Sequence, residues 1–194
     1  MNLPNKLTVF RIIITPFFLL FFFSHEWFGF SPYISLIVPW ILWAIIELSD
    51  ILDGYIARKY DLVTDLGKVM DPFADVLSRI TYFICFAYSG IMPIWIFALI
   101  LYRELGITFL RMVMIKNGIA LAASIWGKLK AVFYALSGVV GLIVISMIRL
   151  DGFLEFQALV RNIGLVIFSL ALISSLASFI TYLIPIIRKL SASR

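Results

Sequence analysis

The sequence predicts an all-α fold, a polytopic integral membrane bundle of six transmembrane helices with both termini in the cytoplasm. Hydrophobic residues make up 63% of the chain, charged residues only 14%, and the mean hydropathy is +1.07. Soluble domains carry about 25% charged residues. Apolar stretches of about 20 residues, the length that crosses a bilayer as a helix, recur along the chain. Basic residues cluster where these stretches end, as they do at cytoplasmic boundaries.

The apolar stretches define the predicted helices in chain order. A polar segment at residues 1–6 is expected to lie on the membrane surface, and the first span follows at 7–24, with a kink at Pro16. The other spans are predicted at 33–59, 66–90, 92–117, 127–149 and 156–187. No linker or repeat divides them, so residues 1–194 are expected to form a single domain.

The distribution of positive charge favours one orientation of this bundle. Lysines and arginines, including Lys6 and Arg11, accumulate at the N-terminus, after the second and fourth spans, and at the C-terminus. This pattern places the end of the second helix at the cytoplasmic face, and we expect a bacterial-type cytoplasmic (inner) membrane. These boundaries and their anionic lipid partners account for the net charge of +5, so no nucleic-acid partner is expected.

An acidic motif at residues 50–75 interrupts the apolar pattern. It begins at the end of the second predicted helix, where Asp50, Asp53, Gly54 and Ala57 stand at i, i+3, i+4 and i+7. Residues at this spacing share one face of a helix. The helix therefore presents a pair of carboxylates beside small residues.

The third predicted helix repeats the arrangement. Gly67, Asp71 and Asp75 stand at i, i+4 and i+8. Four like charges gather at a membrane boundary when a cation holds them there, so these acids predict a metal-centred active site. Asp61 and Asp65 lie in the intervening loop, where solvation or helix capping explains them better. For the four motif acids, solvation and capping are the alternative that the apolar context disfavours.

Carboxylate oxygens suit Mg²⁺ or Mn²⁺, and four of them suffice for a site with two divalent cations. One carboxylate could also accept a proton from an attacking hydroxyl, and Asp75, expected to lie deepest, is the natural choice. Gly54, Ala57 and Gly67 would keep a groove open between the two helices.

The spacing Asp50-x2-Asp53-Gly54-x2-Ala57-Arg58-x8-Gly67-x3-Asp71-x3-Asp75 resembles the motif of the CDP-alcohol phosphatidyltransferase family. The resemblance implies a six-helix membrane enzyme, usually dimeric, that binds two divalent cations. It implies metal ligation by Asp50, Asp53 and Asp71, with Asp75 as a ligand or the general base. The residues that it assigns to the CDP pocket are Asp50, Asp53, Gly54, Ala57, Arg58 and Gly67.

Further stretches resemble family members whose acceptor is glycerol 3-phosphate. They are Asn2-x-Pro4-Asn5-x-Leu7-Thr8-x2-Arg11, Asp71-Pro72-x-Ala74-Asp75, Arg103-Glu104 with Leu110-Arg111, and Ala122-Ala123-Ser124-x2-Gly127-Lys128-x-Lys130. The resemblance implies transfer of the phosphatidyl group of CDP-diacylglycerol to glycerol 3-phosphate, giving phosphatidylglycerophosphate and CMP. Cations for the acceptor's phosphate dianion would come from Arg103, Arg111, Lys128 and Lys130.

Alternatives remain within and outside the family. Val76 stands where those members commonly have lysine, and Ala131 and Tyr134 stand where threonine and glutamine are common. These departures leave open another acceptor, such as inositol phosphate or phosphatidylglycerol, or a CDP-amino-alcohol donor. More distant alternatives are an intramembrane prenyltransferase and a cation transporter.

Structural roles compete with the binding roles of several charged residues. Lys128 and Lys130 could mark the cytoplasmic boundary, and Glu104 could form an ion pair with Arg103. Glu47, one turn before Asp50, could support the acids or pair with a basic residue.

Overall fold

The computed structural model describes residues 2–116, 125–150 and 154–192, and within them the side chains of all but 111, 112, 114–116, 154 and 185–192. The described chain is helical, as predicted. Its helices are α1 (Leu3–Phe22), α2 (Ser24–Phe28), α3 (Ile34–Lys59), α4 (Asp65–Tyr88), α5 (Ile94–Lys116), α6 (Ile125–Arg149) and α7 (Leu154–Ala192).

Four segments are long and apolar enough to cross a membrane within the described ranges. They are α1, α3, α6 and residues Glu155–Ile184 of α7. The helices α4 and α5 are of similar length, but they carry more charged residues, several of which belong to the site described below. Large apolar side chains such as Ile13, Ile37 and Leu48 are exposed on the outside of the bundle. These features are those of an integral membrane helical bundle.

Capping side chains determine where α1 and α4 begin. The side chain of Asn2 accepts a hydrogen bond from the Asn5 amide, and Pro4 lies in the first turn, where its missing amide proton is not needed. Residues 3–6 of the expected surface segment therefore form the first turn of α1. Thr64 caps α4 in the same way through the Gly67 amide. Both caps lie beside the acidic motif.

The helices pack as two groups that meet in a buried aromatic core. α1 packs on α3 and α4, α6 packs on α7, and α5 bridges α4 and α7. The core between them contains fully buried rings, including Phe22 and Phe86, whose centroids are 6.2 Å apart in an edge-to-face arrangement. The close approach of α6 depends on Gly141, where a Cβ would lie 2.3 Å from the Phe86 ring. This packing holds the motif helices α3 and α4 against α1.

Candidate active site

The four motif acids converge at one end of the bundle. Asp50 and Asp53 lie near the end of α3, and Asp71 and Asp75 lie in the first half of α4. All four carboxylates are within ion-pair distance of one guanidinium, that of Arg11 on α1. The convergence expected from the spacing is therefore present, and the centre of the cluster is a side chain from a third helix.

Arg11 is almost completely buried, with 1% of its surface exposed. Its Nη2 donates to Asp53 Oδ2 at 2.9 Å, and its Nη1 donates to Asp75 Oδ1 at 2.9 Å and also to Asp50. A charge taken out of water needs such partners, because its desolvation is otherwise costly. Arg11 thus neutralises part of the acid cluster. From the sequence, Arg11 was grouped with the basic residues that mark the cytoplasmic boundary of the membrane.

The acids differ in their exposure. Asp53 is 2% exposed, whereas the side chain of Asp75 keeps 39% of its surface exposed. Asp53 has less accessible surface than Asp75 because Thr8 and Arg11 cover it from the α1 side, although Asp75 is enclosed by more of the bundle, as expected. The exposed carboxylate of Asp75 instead faces a cavity.

A polar stripe on α1 covers the motif. Asn2, Asn5, Thr8 and Arg11 recur at every third position and so lie along one face of α1. Asn2 Nδ2 donates to Leu62 O at 2.6 Å, Asn5 Nδ2 donates to Thr64 Oγ1 at 3.0 Å, and the Thr8 hydroxyl donates to Asp71 Oδ1 at 2.7 Å. Sequence reasoning missed this role, although the three-residue repeat of polar side chains in an apolar helix was a usable signal.

The small residues of the motif have distinct surroundings. A Cβ on Gly67 would lie 2.9 Å from Asn5 Oδ1, so the absent side chain makes room for α1. A Cβ on Gly54 would lie 3.4 Å from Arg58 Nη1, which places the Arg58 guanidinium over this turn of α3. Ala57 is half-buried on the same helix. Space at Gly67 therefore serves the packing of α1.

The donor set suits a hard divalent cation, because every candidate ligand is a carboxylate oxygen. The arrangement as it stands is closed around Arg11. Among the residues that the structure describes, no three acidic, histidine or cysteine side chains are arranged to hold a metal ion. The residue types therefore fit a cation site, and its geometry requires the carboxylates to turn from the guanidinium towards the ion.

A cavity of about 510 Å³ adjoins the acid cluster. Asp75 lies on its wall, and so do Val76 and Ala131, two of the positions where the chain departs from the family pattern. Three of the four residues predicted to bind the acceptor's phosphate line it; the side chain of the fourth, Arg111, lies outside the described part of the structure. The basic residues on the wall are Arg58, Arg79, Arg103, Lys128 and Lys130.

A second charged cluster supports the far wall of this cavity. Glu104 is 2% exposed and accepts hydrogen bonds from Arg103 Nη1 at 2.8 Å, Lys130 Nζ at 3.0 Å and the Tyr134 hydroxyl at 2.8 Å. Arg103 also donates to Ser175 O, which ties α5 to α7. Glu104 is thus a structural ion-pair partner, and Arg103 and Lys130 are already engaged by it.

Glu47 has a simpler role. Its Oε1 accepts a hydrogen bond from the Tyr82 hydroxyl at 3.1 Å, which links α3 to α4 one turn away from the acids. This contact supports the pair of helices that carry the motif.

The chain is similar in sequence to known proteins over most of its length. The family model described as CDP-alcohol phosphatidyltransferase matches residues 1–173. A protein of Treponema pallidum (strain Nichols) named CDP-diacylglycerol–glycerol-3-phosphate 3-phosphatidyltransferase is 32% identical over 97% of this chain and 92% of its own. A protein of Bacillus subtilis (strain 168) with the same name is 36% identical over 66% of this chain and 70% of its own.

A third relative has a related name. The probable phosphatidylglycerophosphate synthase of Mycobacterium tuberculosis (strain ATCC 25618 / H37Rv) is 36% identical over 75% of this chain and 67% of its own. The family match covers all four motif acids, Arg11 and most of the cavity wall. From the matched length and these relatives, the chain belongs to the CDP-alcohol phosphatidyltransferase family.

Proposed function

We propose that the protein transfers the phosphatidyl group of CDP-diacylglycerol to glycerol 3-phosphate, forming phosphatidylglycerophosphate and CMP in phospholipid biosynthesis. The names of the relatives support this reaction. The observation that carries the proposal is the convergence of the four motif acids beside a cavity lined with basic residues. Such a site accommodates a diphosphate on one side and a phosphorylated alcohol on the other.

We assign the binding of two divalent cations, Mg²⁺ or Mn²⁺, to Asp50, Asp53, Asp71 and Asp75. Bound there, the ions would polarise the donor's diphosphate and offset the charge on the departing CMP. The wall of the CDP pocket would consist of residues from both motif helices, namely Asp50, Asp53, Gly54, Ala57, Arg58 and Gly67. Arg11 would release part of its contacts when the cations bind, because they compete for the same carboxylate oxygens.

Asp75 is our candidate for the general base. Its exposed carboxylate lines the cavity, where it can accept the proton of the acceptor's primary hydroxyl. The hydroxyl oxygen then forms a bond to the lipid-side phosphorus, and the bond from that phosphorus to the CMP oxygen breaks. The protein's main contribution is to position the two substrates and stabilise charge, as in other phosphoryl transfers. Arg103, Arg111, Lys128 and Lys130 would attract the acceptor's phosphate to the cavity.

The membrane arrangement that we propose has six spans, with α4 and α5 crossing the bilayer alongside the four strongly apolar segments. Both termini and the acid cluster would then lie on the cytoplasmic side of a bacterial-type inner membrane. A homodimer in contact with membrane lipids would place the charged faces of α4 and α5 away from the acyl chains. Two single variants, Ser31→Cys and Asp61→Cys, test the orientation when a thiol reagent is added to either side of sealed vesicles.

Release of CMP by the purified protein, with Mg²⁺, CDP-diacylglycerol and one acceptor at a time, tests the reaction. We expect glycerol 3-phosphate to support CMP release and an equal yield of phosphatidylglycerophosphate. CMP release with inositol phosphate or phosphatidylglycerol, and not with glycerol 3-phosphate, would show that the acceptor is a different alcohol. The departures from the family pattern at Val76 and Ala131, which line the cavity, would then be the first positions to examine. Metal flux across vesicles without CMP release would instead indicate a transporter, and release of inorganic diphosphate from a prenyl donor would indicate a prenyltransferase.

The variant Asp75→Asn tests the general base. Its amide cannot accept the proton, so we expect turnover to fall by about 10²- to 10⁴-fold while CDP-diacylglycerol still binds. Asp65→Asn is the matched control, because Asp65 is an exposed acid that contacts Lys68 outside the cluster. The turnover of this variant should equal that of the wild type. Normal turnover in Asp75→Asn would exclude Asp75 as the general base.

A further inference from the structure

Arg79 is a buried cation on the cavity wall that the proposed reaction leaves without a role. It lies one turn after Asp75 on α4 and is 8% exposed. Its Nη2 is 3.8 Å from Asp50 Oδ2, which is close enough for an ion pair but too long for a hydrogen bond. Its Nη1 is buried and has no hydrogen-bond partner. The guanidinium therefore has unused hydrogen-bonding capacity at the edge of the cavity.

Two other cations of the cavity are already occupied. Arg103 donates from Nε to Ser175 O at 3.0 Å, from Nη1 to Glu104 at 2.8 Å and from Nη2 to Ser178 Oγ at 3.0 Å. Lys130 Nζ is bonded to both carboxylate oxygens of Glu104. A ligand anion would have to compete with Glu104 for these two groups, whereas the Arg79 guanidinium makes no hydrogen bond with Glu104.

The surroundings of Arg79 hold it in place for a ligand. Its guanidinium carbon lies 5.6 Å from the centre of the Tyr134 ring, and the Tyr134 hydroxyl is itself fixed by Glu104 and Ser175. A buried guanidinium N–H without a partner is rare and costs free energy, so it calls for an explanation such as a ligand. A planar guanidinium fork matches the oxygens of a phosphate group.

The position on α4 points to the acceptor rather than the donor. Arg79 and Asp75 line the same cavity one helical turn apart, so an alcohol whose phosphate contacts Arg79 has its hydroxyl group near the Asp75 carboxylate. Val76, the residue that follows Asp75, lines that wall as well.

We propose that Arg79 binds the phosphate group of the acceptor alcohol and so selects a phosphorylated acceptor. This inference depends on the proposed function for the identity of the acceptor. The phosphate of glycerol 3-phosphate contacts the Arg79 guanidinium from the cavity, and its hydroxyl end lies towards Asp75.

The test compares Arg79→Met with the wild-type protein and with Arg161→Met. Arg161 is an exposed arginine on α7 that donates to Gly90 O, away from the cavity. In Arg79→Met we expect the KM for glycerol 3-phosphate to rise by about 10- to 100-fold, the loss of one or two charge-assisted hydrogen bonds. The KM for CDP-diacylglycerol should stay within about twofold, and the preference for glycerol 3-phosphate over uncharged glycerol should fall by the same factor. Arg161→Met should match the wild type.

A second measurement is independent of turnover. Inorganic phosphate should raise the melting temperature of the wild-type protein without metal or donor, and this rise should be lost in Arg79→Met. The two proposals then fail separately. A wild-type protein that releases no CMP with any acceptor contradicts the proposed reaction, while the phosphate-dependent melting still tests Arg79.

Three results for Arg79→Met would overturn the inference. The first is an unchanged KM for glycerol 3-phosphate, and the second is a rise in the KM for CDP-diacylglycerol instead. The third is a fall in kcat alone, which would mean that Arg79 acts through the acids. If Arg79→Met does not fold, Arg79→Lys replaces it. A lysine cannot form the two-pronged contact, so the KM for glycerol 3-phosphate should still rise by about three- to tenfold, and an unchanged value counts against the assignment.

Discussion

Replacement of Arg11 by glutamine should make the protein depend on a divalent cation for its stability. Glutamine keeps much of the volume of arginine but removes the positive charge from the centre of the four acids. The carboxylates would then repel one another without compensation. A bound cation can replace the lost charge, so the cost of the substitution should depend on Mg²⁺.

The structure sets the size of this effect. Breaking a buried ion pair by removing one partner costs about 3–5 kcal/mol, and exposed partners contribute much less. Asp53 is the buried partner here, while Asp50, Asp71 and Asp75 are partly exposed. We therefore take the lower end, about 3 kcal/mol, which for a chain of this size corresponds to a fall in melting temperature of about 6–12 °C.

Tryptophan fluorescence during heating in detergent micelles measures this difference, since the chain has five tryptophans. With EDTA, Arg11→Gln should melt about 6–12 °C below the wild type. Addition of Mg²⁺ should raise the melting temperature of the variant more than that of the wild type, because the ion no longer competes with a guanidinium. Half-maximal stabilisation of Arg11→Gln should also occur at a lower Mg²⁺ concentration than that of the wild type.

The matched control is Arg149→Gln. Arg149, the last residue of α6, is half-buried; it pairs with Glu26 and donates to Ser35 O near the start of α3, far from the acids. This variant should lose stability by an amount that Mg²⁺ does not restore. If Mg²⁺ raises the melting temperatures of wild type and Arg11→Gln equally, the guanidinium and the cation do not share ligands, and the reasoning is refuted.

Three further predictions concern the contacts around the site. Gly67→Ala should lower the melting temperature because the new Cβ meets Asn5 Oδ1, and the second substitution Asn5→Ala should recover part of the loss; no recovery in the double variant would contradict this contact as the cause. Thr8→Val should reduce kcat/KM by about tenfold, because it removes a hydrogen bond of about 1.5 kcal/mol to the Asp71 carboxylate. The control Thr8→Ser should retain most of the activity. Equal losses in the two variants would point to packing instead of the hydrogen bond. Glu104→Gln should cost about 3 kcal/mol of unfolding free energy in denaturant titrations, since Arg103 and Lys130 lose their shared partner, and a change below about 1 kcal/mol would exclude a structural ion pair.

The helices were predictable because their lengths are determined by apolar stretches of the chain. The predicted second span at 33–59 differs from α3, Ile34–Lys59, by one residue. The start of α1 was predicted four residues late, because the capping side chain of Asn2 and the first-turn Pro4 were read as a surface segment. The five-residue helix α2 was read as a loop, since it is too short to show a periodicity.

The acid motif was predictable from local spacing, but its partners were not. Asp50 and Asp53 lie within one turn of each other, so helical geometry alone places them together. Arg11 joins residues 39 to 64 positions away, and local spacing carries no information about such pairs. Arg79 was missed although it stands in the middle of the predicted span 66–90, where an ionisable side chain usually faces a cavity or a partner.

The acids and most of the basic side chains of the cavity come from different parts of the polypeptide. Asp50, Asp53, Asp71 and Asp75 belong to α3 and α4, whereas the wall opposite them is formed by α5, α6 and α7. Substitutions in the later helices can reshape the acceptor's surroundings while the phosphoryl-transfer machinery is left intact. A change of acceptor therefore has a natural route, in which α5, α6, α7 and the Arg79 position of α4 change while the four acids are retained.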